Sequence, residues 1–104
     1  MEMSELKPLK SQKLRYSAMN QNCTMNVADV CNYDNATVVL AHIKTEGSAM
    51  GAKPDDFSAC FACCDCHTWL DQNKGTEEDR LFYSLRGLIR TLKIWVSIGL
   101  ITIK

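Results

Sequence analysis

At 104 residues, with 12 basic and 12 acidic side chains that cancel, the chain is one small domain whose overall field does not draw it to a polyanion. Any attraction to nucleic acid has to come from a local patch. Burial alone stabilises a domain of this size modestly, and the six cysteines offer the kind of cross-link that such domains use. Residues 1–22 are polar and basic with no apolar run fit for a secretory signal, and Trp95 to Ile103 is far shorter than the ~18 apolar residues that argue a membrane span. A cytoplasmic protein without a membrane segment is expected. That compartment is reducing, which favours thiolate ligation of a metal over disulfides.

Residues 1–13 carry Lys7, Lys10 and Lys13 around Pro8 and read as a flexible basic arm ahead of a single domain spanning 14–104. A short helix fits Leu14 to Met19, after which the chain reaches Cys23 and Cys31, at a spacing that suits a loop presenting both sulfurs to one side. Thr37 to Ile43 is the clearest strand signal, rich in β-branched residues and preceded by the turn formers Asn32, Asp34 and Asn35. By its period of two, Val38, Leu40 and His42 share one face, so His42 ends a strand. Lys44 to Asp56 reads as a long surface loop, and Phe57 to Ala62 as a second, antiparallel strand.

The densest stretch is Ala59 to Asp71, which holds four of the six cysteines together with His67. Asp65 is placed to cap a helix that starts near Cys66, runs to Asn73 and ends with Gly75 at its C′ position, putting His67 and Asp71 four apart on one face. Thr76 with Asp79 then opens a long helix, in which Leu81, Leu85, Leu88, Ile89, Leu92 and Trp95 predict the buried stripe and Arg86, Arg90 and Lys93 fall on another face. Gly99 ends it, and Leu100 to Ile103 reads as a last short strand. Trp69 and Trp95 are expected in the core.

Cys63 and Cys66 have the Cys-x-x-Cys spacing at which one knuckle aims two thiolates at a tetrahedral zinc, and Cys23 with Cys31 completes a four-cysteine set. Buried free thiols are the plainer reading of each cysteine taken singly, and Cys60 and Cys64 are left over as packing thiols or alternative ligands. His67 and Asp71 offer nitrogen and oxygen to a harder divalent ion, or simply a hydrogen bond on the helix surface. His42 suits a general base, or a bond to a nearby carbonyl. Strand with terminal histidine, loop, second strand, then a helix opened by Cys-x-x-Cys-His resembles the ββα-metal arrangement of HNH nucleases. Phosphodiester hydrolysis needs such a base to activate water and a divalent ion to neutralise the scissile phosphate.

The runs Val30-Cys31-Asn32, Val39-Leu40-Ala41-His42-Ile43, Lys53-Pro54 with Asp55 or Asp56, Ala62-Cys63, Cys66-His67 and Asp71, with Arg90-Thr91 and Trp95 in the last helix, make the resemblance specific. From about Cys23 to the C-terminus the chain resembles the YbcO family of short lambdoid-prophage nucleases. The resemblance implies a small α+β, zinc-stabilised HNH-like domain with a long C-terminal helix and an endonuclease activity on DNA, with no small-molecule cofactor. It further implies structural Zn2+ on Cys23, Cys31, Cys63 and Cys66, and a catalytic centre of His42, His67 and Asp71, the last two holding Mg2+ or another divalent ion. Two positions depart from the HNH pattern. Ala41 stands where many such enzymes carry an Asp or His ligand, leaving Asp55, Asp56 or water to substitute, and the asparagine that braces the loop between the histidines is absent. Lys53, Arg86, Arg90 and Lys93 are candidate DNA contacts, against a default of solvated side chains. A homodimer that cuts both strands is compatible with this chemistry. The rival reading is an inactive zinc-stabilised module that binds nucleic acid or protein; a redox role for Cys63 and Cys66 lacks the expected βαβ surroundings.

Overall fold

The computed structural model describes residues 7–43 and 55–104. Lys53 and most of the expected Lys44 to Asp56 loop lie outside them. The two strands form as an antiparallel pair, β1 (Val39–His42) and β2 (Ala59–Ala62), with Val39 opposite Ala62 and His42 opposite Ala59. Both are shorter than the sequence pattern suggests. Asn35–Thr37 is drawn into a 3-10 turn whose start is capped by the Asp34 carboxylate on the Ala36 N–H. Three helices complete the α+β domain: α1 (Gln12–Tyr16), α2 (Cys64–Asp71) and α3 (Glu77–Ser97).

Helix α1 begins ahead of Leu14 because Ser11 caps it, its hydroxyl accepting the Leu14 N–H at 3.2 Å. The basic segment before it is fastened from Leu9 onward. The Leu9 N–H donates to the Asp55 carboxylate at 2.6 Å, the Asp56 N–H to the Leu9 carbonyl at 2.8 Å, and the Ser11 N–H to the Asp56 carboxylate at 2.7 Å. Within the stretch expected to form an arm, Leu9 and Ser11 are thus bonded to the residues that lead into β2.

A two-stranded sheet leaves each strand with an unpaired edge, and β2 is wholly buried, so its edge needs partners. Two threonines supply them. The Phe61 N–H donates to Thr91 Oγ1 at 3.1 Å, the two threonine hydroxyls meet at 3.0 Å, and Thr24 Oγ1 donates to the Phe61 carbonyl at 2.9 Å, which also accepts the Thr24 N–H at 2.7 Å. With those roles fixed, the Thr91 hydroxyl donates to Thr24 and the circuit closes. Phe61 also meets Trp95 edge to face, their ring centroids 5.9 Å apart, and the Trp95 indole N–H donates to Ser17 Oγ at 2.8 Å, joining α3 to the end of α1.

The packing of α3 corrects the expected stripe. Its buried residues are Ser84, Gly87, Thr91 and Trp95, whereas Leu81, Leu85 and Ile89 face outward. The reason is proximity: a Cβ on Gly87 would lie 3.0 Å from both Cβ and Sγ of Cys60 and 3.1 Å from Cγ of Met25. Only small side chains let the helix come that close to Cys60, so Leu81, Leu85 and Ile89 lie away from that contact, while Trp95, as the stripe predicts, is buried farther along the helix. At its end α3 closes with Gly99 at φ 80°, its N–H on the Val96 carbonyl and the Leu100 N–H on that of Trp95, a Schellman motif. Helix α2 ends the same way, but the residue at its C′ position is Asn73, at φ 54°, and Gly75, at φ 69°, lies two residues further on. Gly75 has a different constraint, since a Cβ there would lie 2.6 Å from the Trp69 ring. Leu100 to Ile103 forms no strand; Leu100 and Ile101 both turn back to the Trp95 carbonyl and pack partly against the core.

Gly87→Val puts a branched side chain into the tightest contact between α3 and β2. We expect a loss of about 1–3 kcal/mol, read as a lower midpoint in urea unfolding of the metal-loaded protein with an unchanged slope.

Candidate metal centre and histidine site

The junction between β2 and α2 is made by Cys63, which caps the helix in place of Asp65. Its backbone is extended and its sulfur accepts the Cys66 N–H at 3.4 Å, as a capping oxygen would. The helix therefore starts at Cys64, and Asp65 sits in the first turn, where the helix dipole favours its charge. Cys23 repeats the pattern without a helix, its sulfur accepting the Asn26 N–H at 3.5 Å across a turn in which Asn26 is left-handed, at φ 47°. The Asn26 side chain then donates to Cys31 Sγ at 3.5 Å, and the Cys31 N–H to the Val27 carbonyl at 2.9 Å. A second left-handed residue, Asp29 at φ 63°, lets the chain turn back within this short loop.

These turns bring the sulfurs of Cys23, Cys31, Cys63 and Cys66 within 4.8 Å of one another. A tetrahedral zinc with ~2.3 Å bonds to sulfur needs sulfurs roughly 3.8 Å apart, and the Cys31 and Cys63 sulfurs stand at 3.8 Å. None of the six cysteines is in a disulfide. The hydrogen bond from Cys66 pulls the Cys23 thiol down to about 4, while the same bond, with burial, holds Cys66 up. Four converging sulfurs with N–H donors aimed at them suit a divalent, thiophilic cation, under which all four are thiolates. Cys60 and Cys64 stay outside the cluster. Cys60 is buried beneath α3, and that burial raises its thiol to about 12, so it behaves as a small apolar side chain. Cys64 is exposed at the start of α2, its sulfur accepting from Asn32 Nδ2 at 3.3 Å.

Arg86 and Arg90, expected on an open basic face, reach across to the cysteine loop. Arg86 donates to the Met25 carbonyl through Nη2 at 2.5 Å and to that of Asn26 at 2.8 Å, and stacks over the Phe82 and Tyr83 rings. Arg90 donates to the Thr24 carbonyl at 3.2 Å and to the Asn26 side-chain oxygen at 3.0 Å. Lys93 lies on the outer side of α3 beside Ile89, Leu92 and Val96.

The histidines sit in two separate pairs. At the end of β1, His42 Nε2 is 2.8 Å from the Asp56 carboxylate, whose other oxygen receives the Ser11 N–H and, at 3.0 Å, Arg15 Nε. Asp56 is only 1% exposed. Burial by itself would raise its carboxyl, but the Ser11 and His42 hydrogen bonds and the Arg15 charge together hold it below the ordinary value. An ionised carboxylate only accepts, so the shared proton belongs to His42 Nε2, and in the neutral ring Nδ1 is the nitrogen that carries the lone pair. On α2, His67 Nε2 stands 3.2 Å from Asp71 Oδ2, four residues on, and both side chains are substantially exposed. Ala41, opposite Cys60, is fully buried and offers no donor atom.

Sequence reasoning treated Asp56 as a stand-in ligand and missed it as the partner of His42, with Arg15 and Ser11 behind it. The available signal was its position three residues before Ala59, which pairs with His42. Asn26, too, went unnoticed, though a left-handed turn after Cys23 calls for such a residue.

Fold and cluster together define a small α+β domain built around four cysteines that could hold a metal ion. Residues 12–100 match the family described as "Putative nuclease YbcO". The chain is 35% identical over 94 residues to the protein of that name from Escherichia coli strain K12, a match covering 85% of this chain and 95% of the relative. The like-named protein of Enterobacteria phage 82 matches to the same extent. A solved structure, "Structure of a putative bacteriophage protein from Escherichia coli str. K-12 substr. MG1655", superposes with a TM-score of 0.71 at 32% identity, covering 84% of this chain and all of that one. The chain belongs to the YbcO family. Among the described residues, no helix is long and apolar enough to cross a membrane.

Elemental analysis of the protein purified without added metal should find one zinc per chain, and removing it with a strong chelator should abolish cooperative unfolding. Cys63→Ser loses both metal and cooperativity, whereas Cys64→Ser keeps the metal and unfolds within about 0.5 kcal/mol of the parent.

Asp56 yields a pH prediction. Because its folded carboxyl lies below the ordinary 3.8, its contribution is fully present above the unfolded value and is lost as pH falls through the folded one. Asp56→Asn is therefore expected to lower stability at neutral pH by about 1–3 kcal/mol. The difference from the parent should shrink in acid below the ordinary value, as followed by thermal unfolding across the pH range.

Proposed function

We propose that this protein is a metal-dependent endonuclease that hydrolyses DNA phosphodiester bonds, with the four-cysteine centre serving as its structural zinc site. The observation that carries this reading is the His42 to Asp56 pair. A buried, ionised carboxylate fixes the imidazole's tautomer and orientation and would stabilise the imidazolium formed on proton transfer. In this reading Nδ1 of His42 takes a proton from the attacking water. Asp56 holds the ring through Nε2 and touches neither water nor phosphate.

His67 and Asp71 are the donors proposed for a working divalent ion, which when bound would neutralise charge on the scissile phosphate. Among the described residues, the cysteine cluster is what gathers three or more metal donors, so the α2 pair supplies at most two. A pair suffices for Mg2+, which binds through one or two side chains and completes its shell with water and phosphate oxygens. The loss of a ligand at Ala41 is consistent with such a lightly held ion. Lys93 and the exposed part of Arg90 are left to approach the backbone of DNA; Arg86 is committed to the cysteine loop. The family description of this chain and of its relatives as nucleases supports the reaction class.

A second reading, a zinc-stabilised module that binds nucleic acid or protein without cutting, is favoured by the burial of Ala41 and by the use of two arginines as braces. Supercoiled plasmid separates the two. The nuclease reading expects nicking that needs added Mg2+ or Mn2+, and a loss of at least about 100-fold in His42→Ala at unchanged zinc content. Retained zinc and salt-sensitive DNA binding with no cleavage by either protein would establish the module instead.

A further inference from the structure

The outer side of α3 is a second apolar face that the domain leaves largely exposed, only Leu92 being packed partly against the core. Leu81, Leu85 and Ile89 are 66%, 58% and 46% exposed, and Val96 is 48% exposed. Ile89, Leu92, Lys93 and Val96 line a shallow groove along the same side. At 3.6 residues per turn these positions fall in a sector of roughly 120° that runs about 22 Å along the helix. Contiguous apolar surface of that kind on a soluble domain marks an interaction site.

We propose that this stripe is a homodimer interface in which α3 of one copy packs antiparallel against α3 of the second. The stripe is nearly symmetric about its middle. A two-fold axis near Ile89 sets Leu81 opposite Val96 and Leu85 opposite Leu92, and brings the two copies of Ile89 together, the self-complementary pattern an isologous contact requires. Charge selects the same direction. The first turn holds Glu77, Glu78 and Asp79, and Lys93 borders the stripe toward its other end. Antiparallel pairing brings the acidic end of each helix toward the basic end of the other, on the order of 9 Å along the axis from Glu78 to Lys93. Parallel pairing would set like charges side by side.

The footprint is small. A helix face about 22 Å by 10–12 Å is well under the ~800 Å2 per partner of a standard interface, so the association is weak, with a dissociation constant on the order of micromolar or above. This inference goes beyond the nuclease reading and stands whether or not the protein cuts DNA.

Sedimentation velocity of the zinc-loaded full chain across the micromolar range tests it. The wild type is expected to shift from monomer to dimer with concentration. Ile89→Glu and Ile89→Lys, each checked for unchanged zinc content and circular dichroism, should each weaken association by more than about tenfold, and an equimolar mixture of the two should restore it. Wild type that stays monomeric throughout, an Ile89→Glu variant that associates as well as wild type, or a mixture that fails to recover would each overturn the proposal.

Discussion

Four sulfurs from two distant stretches arrive within 4.8 Å of one another, and much of the remaining structure serves that convergence. Cys63 and Cys66 are positioned by a strand end and a helix start. Cys23 and Cys31 lie in irregular chain, which cannot hold sulfurs in place unaided. Their loop is fixed from outside: the Thr24 and Thr91 hydroxyls lock it to Phe61, two residues before Cys63, and Arg86 and Arg90 hold the carbonyls of Thr24, Met25 and Asn26. A cation on this cluster would close a loop of some forty residues, and the energy of binding it becomes energy of folding. Arg86 and Arg90 thus do their visible work on the cysteine loop.

The same convergence dictates α3. To hydrogen-bond the edge of β2 and reach the cysteine loop, the helix has to lie close to Cys60 and Met25, which selects Ser84, Gly87 and Thr91 at the contact. Large side chains are excluded there. The helix therefore has a close-packed inner side of small residues and, beside its charged face, an outer side on which Leu81, Leu85, Ile89 and Val96 stand exposed.

That division explains what could be read from the sequence. Four cysteines in two pairs, a β-branched run ending in His42, and caps at Thr76 and Gly99 are local patterns, and each stands where its chemistry predicts. The inward face of α3 was not legible, because hydrophobic periodicity weighs side chains by size and the residues that make the contact are small. Of the expected stripe, Leu81, Leu85 and Ile89 face away from the core, Leu92 packs partly against it, and Trp95 is buried. Asp56 was hidden for a related reason: its role depends on its meeting His42 from one distant stretch and Ser11 with Arg15 from another, and no spacing in one sequence encodes that meeting. Asp65 misled because its type suits a cap, while Cys63, held by the strand before it, occupied the position with sulfur.

Strand β2 joins the two chemical halves of the molecule. Its C-terminal end runs into Cys63, and its first residue pairs with His42, so a strand of about 10 Å separates the sulfur cluster from the imidazole's anchor point. At that far end the support is of a different kind. His42 is held by Asp56, and Asp56 by Ser11 and Arg15, so the start of α1, the end of β1 and the residues leading into β2 all converge on one carboxylate. Removal of the cation and titration of Asp56 should therefore disturb His42 by separate routes. The first acts through the register of β2. The second releases α1 and the imidazole while the cysteine loop, held by Thr24, Arg86 and Arg90, remains in place.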